Sequence, residues 1–142
     1  MKAISLWQPW ATLMAAGLKK NETRSWSTSY RGPLLIHAAK RKPKKHEIVH
    51  FLAAVDICKL DKSILYELPF GAVLCCVELV SCQKITMVNH PDSKSFEFYA
   101  GDYRHGRFMW ITQNLQTFNP IPFKGSQGFF NVPDELLPDL PL

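Results

Sequence analysis

The apolar segments of this chain are short. The longest, such as Ala72 to Val77, have the length of a strand, and none approaches the roughly 18 residues that a membrane span needs. Such segments must pair with one another in a sheet to satisfy their backbone groups, and the Ala72 to Ile85 stretch is apolar enough to be the wall of a barrel. With 142 residues, 46% of them apolar, the chain can bury one real core, and a single domain over residues 1–142 is expected. The N-terminal residues lack the long apolar stretch and small-residue cleavage site of a secretory signal, so a cytoplasmic protein without a membrane partner is expected.

Other elements follow from local pattern. Lys2 to Leu6 reads as a strand, and Pro9 opens a short helix with Trp10, Leu13, Met14 and Leu18 at helical spacing. Gly17 suits the left-handed residue that stops it. Glu22 to Trp26 reads as a strand with Glu22, Arg24 and Trp26 on one face and Thr23 on the other. Leu34 to Ala38 is a further strand, and Pro43 to Ile57 a helix with an apolar stripe of Ile48, Phe51, Leu52 and Val55. Asn89 to Arg107 is polar and reads as a flexible excursion or a small helix, and as the mobile lid of the domain. Phe108 to Thr112 and Gly128 to Val132 read as late strands, with Asn119 to Pro122 as a loop and Pro133 to Leu137 as a helical turn. Short strands with a few interspersed helices predict an α+β domain, a small closed β-barrel with peripheral helices.

Charge is regional. The net charge is +5, yet Lys19 to Lys45 holds nine Lys or Arg and one acidic residue, while the chain from His46 onward is net negative. A basic segment on a slightly acidic domain is the footprint of a polyanion partner, although the run Lys40 to Lys45 also fits a solvated loop before a helix. The four cysteines lack C-x-x-C spacing, and Cys75 and Cys76 point to opposite faces of a strand, so they read as reduced apolar residues.

Gly17 to Arg24 spells G-x-K-x-x-E-x-R, which resembles the signature of the ASCH domain family. Trp7-Gln8-Pro9-Trp10 resembles the start of one branch, found among phage and bacterial proteins and a eukaryotic relative. Tyr30 to Pro33, Ile36-His37-Ala38-Ala39-Lys40, and Pro120-Ile121-Pro122 followed by Lys124-Gly125 are similar to the same branch. The resemblance implies a PUA-like barrel whose signature lines a cleft for RNA, most naturally single-stranded, or for a nucleotide-like small molecule. The implied ligand-binding set is Gln8, Trp10, Lys19, Glu22, Arg24, Trp26, His37, Lys40 and Lys124.

The chemistry of these residue types agrees. Lys19 offers a point charge for phosphate, and Arg24 a planar fork that grips phosphate or stacks on a base. Glu22 does not attract phosphate; on one strand face with Arg24 it is placed to orient Arg24 or Lys19, or to accept hydrogen bonds from a base edge or a ribose hydroxyl. Trp7, Trp10 and Trp26 are candidate stacking platforms or core residues. Some ASCH relatives are hydrolases, acting on N4-acetylcytidine or on single-stranded RNA, which implies an alternative, metal-independent hydrolase with Lys19 and Glu22 as its catalytic pair. This chain departs from the amidohydrolase pattern: Glu22 stands where that branch has its Thr nucleophile, and Thr23 is one residue away on the other strand face.

His46-Glu47-Ile48-Val49-His50 spells the H-E-x-x-H of zinc metalloproteases. The helical wheel puts both histidines opposite the apolar stripe, facing solvent rather than an enclosed site. Neither a metal nor a cofactor is expected.

Overall fold

A computed structural model describes residues 1–141. Six strands and three α-helices alternate in the order β1 (Lys2–Leu6), α1 (Trp10–Ala15), β2 (Asn21–Arg24), β3 (Gly32–Ala38), α2 (Lys45–Ile57), β4 (Ala72–Lys84), α3 (Phe96–Tyr99), β5 (Phe108–Pro122) and β6 (Phe130–Asn131). The strands form one sheet in the order β2-β5-β4-β3-β1-β6, with β1 parallel to β3 and the other neighbours antiparallel. No described helix is long and apolar enough to cross a membrane.

The long partners β4 and β5 carry register shifts near Val73, Cys76 and Leu79, and such bulges bend a sheet. The curved sheet buries a different cluster on each face. Ile4, Ile36, Cys75, Leu79 and Trp110 pack on one side with Met14 of α1, and Ala3, Leu35, Val73, Cys76 and Val132 pack on the other. Cys75 and Cys76 therefore do point to opposite faces, both buried and both free, and burial pushes the Cys75 thiol up to about 12.

The expected closed barrel is not formed. The sheet ends on β2, of four residues, and β6, of two, and these edges are not paired with each other. What closes a barrel is a continuous ladder of main-chain bonds. Here one side chain spans the gap between β2 and β1: Arg24 Nη2 donates to the Ser5 carbonyl at 2.8 Å.

The helices follow their sequence signals. Gly17, with φ +76°, ends α1 in the left-handed conformation a glycine adopts without strain. In α2, Phe51, Ala54 and Val55 are buried.

Candidate ligand cleft at the open seam

A cleft of about 1090 Å³ opens at the seam, bordered by the C-terminal ends of β1 and β3, by β2, and by the loop from Lys124 to Gly128. Strand pairing brings the signature here. β2 lies against β5 in the register Glu22↔Trp110 and Arg24↔Phe108, with Glu22 and Arg24 two residues apart and both bordering the cleft. Glu22 Oε2 accepts from Arg24 Nε at 3.1 Å, and Arg24 Nη2 is fixed on Ser5. Neither contact uses Nη1. The carboxylate thus orients the guanidinium, as the spacing predicts.

Lys19 takes a different place from the expected one. It is buried at 1% exposure, beneath Glu22 and outside the cleft lining. Its Nζ donates to the carbonyls of Asn21 and Ala100, the latter at 2.9 Å, and lies 3.7 Å from Glu22 Oε1. These partners match the three hydrogens of an ammonium group. Burial lowers its pKa, opposed by Glu22 and Glu97. The lysine is an internal pin joining β2 to the segment after α3, not a mobile point charge.

Gln8 also turns inward. Its Oε1 accepts from the Thr12 N–H at 2.9 Å, while its Nε2 donates to Thr12 Oγ1 at 2.7 Å and to the Pro69 carbonyl at 2.8 Å. Fully buried, it caps the first turn of α1. His37 lies at the cleft floor, 2% exposed, with Nε2 2.7 Å from the Phe123 carbonyl and Nδ1 2.9 Å from Ser5 Oγ. A carbonyl only accepts, so in the neutral ring Nε2 carries the proton and Nδ1 accepts from Ser5. Burial lowers the His37 pKa and favours this neutral form. The histidine thus ties the Lys124 to Gly128 loop to the sheet. Gly125 presses on it so closely that a Cβ there would sit 2.6 Å from the ring.

Lys40 and Lys124 are exposed on the lining. The Lys40 stem lies over Gly71, where a Cβ would meet it at 3.1 Å. Trp10 and Trp26 border the cleft but are anchored edge-on, Trp10 at 4.9 Å from Phe51 and Trp26 at 4.8 Å from Trp110. Trp7, 53% exposed, stands at the cleft mouth.

Pattern reasoning missed Arg107, Asp102 and His50. Arg107 donates to the Asp102 and Thr23 carbonyls at 3.2 and 3.3 Å. Asp102 pairs with Arg104 at 2.6 Å and with Arg107 at 3.4 Å, and the Arg104 contact holds its carboxyl below the usual range. Arg107 and Asp102 belong to the polar Asn89 to Arg107 segment, which has no periodicity to read. That segment is a cleft wall tied to β2 and to the residue before it, since the Asp102 N–H donates to Thr23 Oγ1 at 3.0 Å and Glu97 accepts from the Lys20 N–H at 2.7 Å. His50 is exposed as expected, yet it lies on the cleft lining 3.2 Å from the Tyr99 carbonyl. Among the described residues no cluster of three or more His, Cys, Asp or Glu is placed to hold a metal.

The chain is thus an α+β domain with an incompletely closed sheet and a basic, aromatic-lined cleft at its seam. The chain belongs to the ASCH domain family, whose model matches residues 4–122. It is 37% identical over 137 residues to human activating signal cointegrator 1 and 36% identical to the mouse protein, in each case over 94% of this chain. It spans only 22% of the length of those relatives. A crystal structure of ASCH from Zymomonas mobilis superposes with a TM-score of 0.58 at 16% identity, over 95% of this chain and 89% of that one. A point mutant of the same bacterial protein gives 0.55 at 13% identity, over 95% of this chain and 91% of that one. These two likenesses are of fold.

Proposed function

We propose that this domain binds single-stranded RNA or a nucleotide-like ligand in the seam cleft. The observation that carries the reading is the charge pattern of the lining. Arg24, Arg107, Lys40 and Lys124 surround one cavity, and its acidic residues, Glu22 and Asp102, are each already paired with an arginine. Such a site presents net positive charge to a polyanion, and its volume, about 1090 Å³, is just above the usual range of ligand pockets, about 300–1,000 Å³. Arg24 Nη1 is the donor left for phosphate by an already oriented guanidinium.

A labelled single-stranded RNA titrated by fluorescence anisotropy tests this. Affinity should fall as salt rises, and a salt-independent affinity would sink the proposal. Arg24→Lys should weaken binding about 10- to 100-fold, because the fork is lost although the charge remains. Glu22→Gln should keep most of the binding, since an amide oxygen still accepts from Arg24.

The hydrolytic reading has one favourable observation, a lysine of lowered pKa 3.7 Å from a carboxylate. It is the weaker reading, because the Lys19 hydrogens are engaged and the side chain does not reach the cleft. Incubation with RNA and with N4-acetylcytidine in the presence of chelator distinguishes the two. A rate that drops by about 10²–10⁴ in Glu22→Gln while binding persists would establish the hydrolase.

A further inference from the structure

Trp7 and the Glu47 of the H-E-x-x-H run are not explained by the cleft's charge. They meet through Arg41. The Arg41 guanidinium lies over the Trp7 ring, 3.8 Å from its centroid, and its Nη2 is 3.0 Å from Glu47 Oε1. Glu47 is itself anchored, accepting from the Lys44 N–H at 2.8 Å as it caps α2. Arg41 Nη1 is buried without a hydrogen-bond partner. A helix terminus therefore braces one face of an indole that still remains 53% exposed at the mouth of the cleft. With Arg41 over the ring and more than half of the residue's surface exposed at the cleft mouth, Trp7 has surface left for a second contact.

Chemistry narrows what that surface takes. The guanidinium behind the ring repels a second cation in front of it, so the lysine or arginine of a protein partner gains less there than on a bare indole. A neutral nucleobase keeps its full stacking gain, and a purine offers the larger surface. A base inside a duplex has both faces covered by its neighbours and cannot use the platform.

We propose that the face of Trp7 away from Arg41 is a base-stacking subsite, held ready by Arg41 and Glu47, that takes an unpaired purine of the strand whose phosphates enter the cleft. This rests on the nucleic-acid reading above. It also gives Glu47 a role, as the anchor of a binding platform.

The test compares labelled single strands of equal length, one adenine-rich, one uracil-rich and one abasic, at a fixed salt concentration. Trp7→Ala should weaken the adenine-rich strand by about 5- to 100-fold, the uracil-rich strand less, and the abasic strand not at all. Its salt slope should match that of the unaltered protein, because no phosphate contact is removed. Trp7→Phe should keep most of the affinity, which guards against a folding artefact. Arg41→Met should lower the ratio of adenine-rich to abasic affinity by about 2- to 5-fold. Equal loss on all three strands in Trp7→Ala would overturn the stacking role. So would unchanged adenine-rich binding in Trp7→Ala while Arg24→Lys still weakens every strand, an outcome that leaves the cleft reading standing. If the unaltered protein binds none of the strands, both fall.

Discussion

The two walls of the cleft hold their cations in opposite ways. On the β2 side, Lys19 is buried behind the lining and bonded to two carbonyls, and Arg24, on the lining, is fixed between Glu22 and the Ser5 carbonyl. On the facing wall, Lys40 and Lys124 are exposed, beside turns that contain Gly71 and Gly125. The same residue type thus serves architecture on one side and long-range attraction on the other. A basic signature in a sequence does not say which, because burial decides whether an ammonium group offers its hydrogens to the protein or to a ligand.

This contrast can be broken most forcefully at Lys19. Lys19→Met should leave the Asn21 and Ala100 carbonyls without their donor and Glu22 less compensated, and should cost about 3–5 kcal/mol of stability in a urea melt. A loss within about 0.5 kcal/mol, typical of a surface site, would place the lysine with its exposed counterparts. The opposite signature is expected from Lys124→Ala. Stability should change by less than about 0.5 kcal/mol, while the slope of log affinity against log salt falls by about 1.

The smallest effect sharpens the same comparison through pH. Burial pushes the Glu47 carboxyl up, but the Lys44 N–H and the Arg41 guanidinium outweigh it and hold the pKa below its ordinary 4.5. A carboxylate depressed in the folded state stabilises the protein above its unfolded pKa, and that contribution is lost as pH falls through the folded value. Glu47→Gln should therefore flatten the stability profile below about pH 4.5, by less than about 1 kcal/mol for a partly exposed pair of this kind. An unchanged acid limb would mean that the Arg41 brace is not energetically coupled to the helix cap.

Much of this was legible in the residues. The signature spacing placed Glu22 and Arg24 together on β2, and the alternation around Cys75 and Cys76 assigned their faces correctly. Gly17 marked the end of α1. Other features were hidden for physical reasons. The later half of β5 reads as loop because it contains Asn119, Pro120 and Pro122. It is a strand nonetheless, since β2 pairs only with Phe108 to Ile111 and the edge beyond is open, where a proline costs no ladder bond. Barrel closure was misjudged because strand signals count strands without saying whether the last pair meets. Lys19 and Gln8 have side chains long enough to turn inward, and their inward partners, Ala100 and Pro69, are distant in sequence.

The open seam has a mechanical meaning. Between β2 and β1 the only polar link among the described residues is a single guanidinium, so the two strands are joined there by a side chain and not by a ladder. That one side-chain contact can part without unzipping any strand pair. A continuous barrel ladder would fix the seam in the backbone itself.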